Sequence, residues 1–254
     1  MPKSIDLNSD LGEGFGPYSF GNDEAMLAIV TSANIACALH AGDPEIMAQT
    51  FVRARERNVA IGAHPGFPDL WGFGRRRIPF SNGEIERLIA YQIGAAIGVA
   101  ALSGQKIVYV KTHGALANIA AAERSVADAI ARAVRSVDPS LSLLATALTE
   151  QVRAGEAAGL RVHQEIYADR GYDEGGQLIA RSAPGAMIED MDLAASRVLA
   201  MVEGGSIITA SGKLLATPID SICVHGDGAH AVSLARRVRS VMEEGGIALA
   251  SFMT

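Results

Sequence analysis

Several things are scarce in this sequence, and each shortage removes a class of protein. In 254 residues there are two cysteines, Cys37 and Cys223. They are too few for a disulfide framework, and both lie in apolar runs, "ANIACAL" and "SICVHG", where small buried thiols are expected. The 22 basic residues against 28 acidic ones leave a formal net charge of -6, and the one basic cluster is "GRRR" at 74–77. Without a basic stripe, nucleic acid is not the expected partner. No run approaches about 18 consecutive apolar residues, and the start "MPKSIDLNSD" lacks the features of an export signal. The expectation is a cytoplasmic protein with no membrane segment.

Specialised motifs are missing as well. There is no H-E-x-x-H helix for zinc and no G-x-S-x-G serine elbow. The only Gly-Lys pair, Gly212-Lys213 in "TASGKLL", lacks the glycine five positions earlier and the following serine or threonine of a P-loop.

What is present is the rhythm of a parallel sheet. With 49% hydrophobic and 20% charged residues, residues 1–254 read as one well-packed α/β domain with no linker-like shift in composition. Strand-like runs fall near 4–8, 33–38, 59–63, 106–111, 141–146, 161–167 and 221–225, with helical patterns between them. Asp43-Pro44 is an N-cap followed by proline at the first helical position. Ser81 and Glu84 form a capping box ahead of Ile85, Leu88, Ile89, Ile93 and Ile97. Residues 189–203 and 229–244 are amphipathic too, and "SIITASGKLLATPID" reads as a hairpin turning at Ser211-Gly212.

Strands covered by helices on both faces are apolar on both faces, and these are not. Asp6, Asn8 and Asp10 alternate with Ile5 and Leu7; Ile107, Tyr109, Lys111 and His113 alternate with Val108 and Val110; Cys223, His225 and Asp227 alternate with Ile222 and Val224. In a closed βα barrel one face meets the helices and the other points inside, where polar groups at the C-terminal mouth meet substrate. A closed or nearly closed parallel barrel of about seven strands is therefore expected.

The same logic collects chemistry at one end. His40 follows the second strand, His64 the third, Lys111 and His113 the fourth; Glu165 lies on the sixth, and His225 and Asp227 follow the last. Four of the six histidines stand at strand ends, and burying several ionisable groups together is costly unless they compensate one another. Such a mouth suits general acid–base catalysis near neutrality, or a divalent metal with a bound water. "HGDGAHA" places glycines ahead of a helix, as anion sites do. "PGFPDLWGFGRRR" and "ADRGYDEGGQLIARSAPG" have the glycines, aromatics and arginines of a lid, with Arg170 and Arg181 able to clamp a carboxylate.

Taken in order, "IDLNSDLGEGFG", "SANIACALHAGDP", "IGAHPGFPDLWGFGRR", "VKTHGALAN", "YADRGY", "RSAPGA" and "ICVHGDGAHA" resemble the LamB/YcsF family along nearly the whole chain. The resemblance implies a seven-stranded parallel (β/α) barrel of the glycoside hydrolase/deacetylase type. It also implies ATP-dependent opening of 5-oxo-L-proline (pyroglutamate) to L-glutamate, with separate B and C subunits and ATP consumed by the complex. Asp10, Glu13, His40, Asp43, His64, Lys111, His113, Asp169, Arg170, His225 and Asp227 match the family pattern. The family usually shows cysteine at Ser9, a glycine-aromatic pair at Ala38-Leu39, serine-tyrosine at Gly66-Phe67, proline at Thr112 and tyrosine at Ala117.

The expected assignment makes Asp10 the leading base, His64 or His113 the proton shuttle and Lys111 the electrostatic stabiliser. Asn8, Glu13, His40, Asp43, Glu165, Asp169, Arg170, Arg181, His225 and Asp227 would surround 5-oxoproline or its activated form. Asp10→Asn, Lys111→Met and His113→Ala are each expected to cut turnover at least roughly a hundredfold and leave the melting temperature nearly unchanged. The same residues also admit a metal-dependent amide hydrolase or deacetylase without ATP, and a protein that only binds ligand within a larger complex.

Overall fold

Residues 4–228 and 230–253 are described by the computed structural model. Six strands run side by side in chain order: β1 (Ser4–Leu11), β2 (Ser32–Ala36), β3 (Ala60–His64), β4 (Ile107–Val110), β5 (Ser142–Thr146) and β6 (Val162–Tyr167). A short antiparallel hairpin of β7 (Ser206–Ile208) and β8 (Leu214–Ala216) follows, and its turn holds Gly212 at a φ of 86°. The next strand, β9 (Ser221–Cys223), pairs in parallel with both β6 and β1 and so closes a seven-stranded barrel.

An eighth strand, β10 (Ala248–Leu249), pairs with Ser4 and Ile5 of β1, below the stretch Asp6–Asn8 that meets β9. Two residues are too few to carry a readable alternation, and sequence patterning missed this strand. Beyond it Phe252 plugs the floor, with its ring centroid 5.1 Å from Tyr109 and 4.3 Å from His163.

Helices surround the barrel: α1 (Asp23–Leu27), α2 (Pro44–Glu56), α3 (Asn82–Leu102), α4 (Gly114–Ala122), α5 (Arg124–Val137), α6 (Glu150–Ala157), α7 (Met191–Gly204) and α8 (Ala231–Glu244). Asp43 caps α2 by accepting from the N–H groups of Glu45 and Ile46, and both halves of the Ser81/Glu84 capping box are made at α3. By length and composition α3 is long and apolar enough to cross a membrane, although Glu84, Glu86, Arg87 and Gln92 interrupt its apolar residues. Here Ile85, Ile89, Ile93, Ala96 and Ala100 bury its stripe against the barrel, and Gln92 bonds both backbone groups of Gly66.

Outward-facing Leu7, Ile35, Ile61, Val110, Ile166 and Ile222 join the apolar layer beneath the helices. The inward positions are mostly polar, with a glycine at one of them. Gly62 is among them for a steric reason: a Cβ there would run into the Tyr109 ring, which fills the barrel at that level.

Candidate active site

The inward side chains form one hydrogen-bonded column. At its base Asp6 accepts from the hydroxyls of Thr31, Ser32 and Ser221. Above it Tyr109 donates to Asn34 Oδ1 (2.7 Å), which turns the Asn34 amide nitrogen to Asn8 Oδ1 (2.7 Å) and Asp10 Oδ1 (2.8 Å). The Lys111 ammonium sits at the centre, donating to Asn8 Oδ1 (3.2 Å), Asp10 Oδ1 (3.1 Å) and Cys223 Sγ (3.1 Å), with Glu165 Oε2 also at 3.1 Å. Tyr167 donates to the other Glu165 oxygen at 2.9 Å. Burial pulls the Lys111 pKa down, but Asp10, Cys223 and Glu165 outweigh it and hold the ammonium well above its ordinary range. Burial likewise pushes the Asp10 carboxyl up, and His64 and Lys111 reverse this, holding it well below the usual range. Two buried carboxylates thus share one buried cation.

Beside Asp10 stand three histidines and a glutamate. His64 Nε2 lies 3.4 Å from Asp10 Oδ2 and 3.0 Å from His113 Nδ1, while the His40 ring stacks on His113 at 3.8 Å. Burial, then the neighbouring His64, depresses His113 to about 3; burial with His113 and His64 depresses His40 strongly. Burial, then Asp10 and Asp227, pushes Glu13 well up. Glu13, His40, His64 and His113 each offer a ligand atom within 4.8 Å of the others, so this cluster can hold a metal ion.

Opposite, His225 Nδ1 lies 2.8 and 2.9 Å from the Asp169 oxygens, and the imidazole stacks on Tyr167 at 5.1 Å. A carboxylate on Nδ1 fixes the tautomer and leaves Nε2 for proton transfer. Asp10, His64, Lys111, His113, Tyr167 and His225 together line a pocket of about 390 Å³, with Arg75, Asn118, Arg170, Arg181 and Ser182 on its rim. That volume suits a small metabolite.

With this geometry in view, comparison with known proteins is decisive. Residues 5–254 match the LamB/YcsF family. The chain belongs to the LamB/YcsF family. It is 63% identical over 252 residues to a protein of Azorhizobium caulinodans named as the A subunit of 5-oxoprolinase, covering 99% of each chain. The crystal structure of the lactam utilization protein from Thermus thermophilus superposes with a TM-score of 0.92 at 40% identity, over 98% of this chain and 100% of that one. A T48 deacetylase superposes with a TM-score of 0.50 at 14% identity, over 98% and 88%, a likeness of fold alone.

Among the residues singled out in the sequence, the barrel brings Asn8, Asp10, Glu13, His40, His64, Lys111, His113 and Glu165 into one buried assembly, with Asp169 and His225 across the pocket. Three others have different employment. Asp43 is spent on the α2 cap and on the Gly16 N–H. Arg170 is buried and donates to the carbonyls of Ala186 and Ile179, pinning the 170–188 segment instead of presenting a free guanidinium. Asp227 pairs with Arg75 at 2.5 Å. Arg181 reaches Met187 Sδ at 3.8 Å and remains exposed at the pocket rim.

Sequence reasoning did not single out Asn34, Tyr167 or Arg75 as functional. The first two share inward parity with recognised neighbours, Tyr167 standing two residues after Glu165, and strand parity was the signal available for them. Arg75 was visible only as part of "GRRR". Departures from the family pattern also have physical content. Ala38 has a φ of 67°, a left-handed conformation suited to the family's usual glycine. Ala117 lines the pocket where the family usually carries tyrosine, leaving room there.

Proposed function

We propose that this chain is the A component of an ATP-dependent 5-oxoprolinase, opening 5-oxo-L-proline to L-glutamate with B and C partner subunits in the cytoplasm. Residues 1–254 act as one catalytic barrel domain. The observation carrying this reading is the full-length likeness to proteins named as the A component of 5-oxoprolinase, and the pocket chemistry agrees with it. A five-membered lactam is an unactivated amide, so opening it needs activation, a placed water and a proton for nitrogen. Phosphorylation of the amide oxygen makes the carbon electrophilic. Water then adds, the C–N bond breaks as nitrogen takes a proton, and a second water splits the resulting acyl phosphate into carboxylate and phosphate.

His225 is the group best placed to move these protons, with Asp169 holding its Nδ1. Asp10, whose carboxyl is held at low pKa, is a weak base; its part, with Lys111, is to fix the charge distribution at the reacting carbon. Arg181 and Arg75 face the substrate carboxylate. ATP is used on the partner subunits, and the exposed side chains of Phe15, Tyr18, Phe20, Leu70 and Trp71 on the loops after β1 and β3 offer them a docking rim.

The test is glutamate release from 5-oxoproline and ATP, with this chain alone and with the B and C subunits. Release only from the full set is expected. Release by the rigorously purified single chain would remove the division of labour, and none from the full set would remove the reading. The Glu13/His40/His64/His113 cluster favours one rival, a metal-dependent amide hydrolase or deacetylase; lactam opening by the single chain without ATP would select it.

A further inference from the structure

The hydrogen bonds of two histidines pose a problem that neutral imidazoles do not solve. His64 Nδ1 is 2.7 Å from the carbonyl oxygen of Lys111, and His113 Nε2 is 2.8 Å from the carbonyl oxygen of Phe73. A carbonyl only accepts, so each of those nitrogens carries a hydrogen. In neutral rings the remaining nitrogens, His64 Nε2 and His113 Nδ1, are then both lone-pair acceptors. They nevertheless face each other at 3.0 Å. Two lone pairs at that distance repel unless something electrophilic lies against both.

Two more groups at the same place lack partners. Neither ring nitrogen of His40 has a hydrogen bond among the described residues, although the residue is only 1% exposed. Glu13 Oε1 is equally without one and stands 3.8 Å from His113 Nδ1. An unpaired buried polar atom costs roughly 1–3 kcal/mol, so four convergent groups left this way would be a heavy burden. The surroundings hold them there. A Cβ on Gly66 would come within 2.8 Å of His40 Nδ1, and one on Gly74 within 2.8 Å of His40 Cβ and 2.9 Å of His113 Cδ2.

We propose that Glu13, His40, His64 and His113 are the ligands of a zinc-class divalent transition metal. Three neutral imidazoles and one carboxylate are borderline donors that suit such an ion far better than magnesium or calcium. The backbone carbonyls on His64 and His113 are the outer partners that metal-bound histidines regularly have, fixing which nitrogen is offered. Ligands roughly 2.0–2.2 Å from a common ion stand no more than about 4.4 Å apart. The observed spread of 4.8 Å therefore needs a small contraction, together with rotation of the His40 ring out of its parallel stack on His113 so that its lone pair meets the same ion. The site lies in the wall of the pocket next to Asp10, so its occupant contributes positive charge beside the reacting group.

The experiment uses the full chain, stripped by dialysis against a chelator and titrated calorimetrically with Zn²⁺, Co²⁺ and Mg²⁺. One Zn²⁺ or Co²⁺ per chain is expected, with a visible Co²⁺ absorption band that Zn²⁺ abolishes and millimolar Mg²⁺ does not. Glu13→Gln and His40→Ala should each weaken binding at least tenfold, while His230→Ala, an exposed histidine outside the cluster, should bind as the parent does. Absence of saturable binding by the parent chain, leaving a proton to bridge the two histidines, overturns the proposal. Folded Glu13→Gln and His40→Ala chains with unaltered affinity overturn it too. Should those variants fail to fold, the ¹⁵N shifts of His64 and His113 in the parent decide: movement on adding Zn²⁺ supports the site, and constancy overturns it. None of these readouts involves turnover, so a chain that binds metal and lacks oxoprolinase activity would remove the proposed function alone.

Discussion

Lys111 shows what burial does to an expectation formed from sequence. Strand parity marks it as an inward cation, and its removal was expected to spare stability. Its ammonium is the shared counter-charge of Asp10 and Glu165, both buried. Lys111→Met leaves two carboxylates unpaired, so turnover should fall at least roughly a hundredfold and stability by about 3–5 kcal/mol. Denaturant titration beside a glutamate-release assay of the complex measures both, and a parent-like midpoint would contradict the shared-charge account. Asp6 allows a pH test. Burial, opposed by the Ser221, Ser32 and Thr31 hydroxyls and aided by Glu165, raises its carboxyl to about 6 from 3.8. The folded chain therefore holds a proton that the unfolded chain has lost between about pH 4 and 6. Stability from this group is greatest at the acid end of that window and declines as pH rises through it. Asp6→Asn should remove that decline, worth up to roughly 3 kcal/mol. Unfolding free energies of variant and parent at pH 4 and pH 7 should differ by unequal amounts; a constant difference would mean Asp6 titrates normally.

At the scale of elements, two backbone positions govern how well the strands present these groups. The turn after β2 carries His40 and passes through Ala38 in a left-handed conformation, where an L side chain costs about 1 kcal/mol or more. Ala38→Gly should relieve that strain and, net of glycine's greater unfolded-state freedom, raise stability by about 0.5 kcal/mol. A lower melting temperature would show that the Ala38 methyl packs usefully. In β3 the opposite change is harmful. Gly62→Ala drives a methyl into the Tyr109 ring, which is completely buried and tied to Asn34. Overpacking of this kind costs about 1–3 kcal/mol. Because Asn34 orients Asp10, turnover should drop with stability. A fully active, fully stable Gly62→Ala chain would mean that the ring can move aside. The capping signals at α2 and α3 and the hairpin turn at Gly212 were legible because their chemistry is local. β10 was not, since its two residues pair only because the closed barrel leaves the lower edge of β1 open.

For the molecule as a whole, the proposed assembly with partner subunits rests on the rim around the pocket. Trp71 is 98% exposed, with Leu70, Phe15, Tyr18 and Phe20 nearby in the same pair of loops. It is also the chain's single tryptophan, so its emission reports this rim alone. Adding the B and C subunits should shift that emission to the blue and reduce access by acrylamide; unchanged emission in a complex shown to form would place the interface elsewhere. Much of the barrel was determined by the sequence itself, because alternation of period two with one polar face is written in the order of residues. That pattern distinguishes a closed barrel from a helix-covered open sheet and points Asp6, Asn8, Asp10, Lys111 and Glu165 inward. Tertiary structure decided how those groups divide the work. Which histidine meets a carboxylate, as His225 meets Asp169, depends on distances between residues 56 positions apart. That Asp43 and Arg170 are spent on a helix cap and a loop anchor depends on which backbone groups stand beside them. Parity sets the face on which a side chain lies; its partner is set by the closure and register of strands that no local spacing encodes.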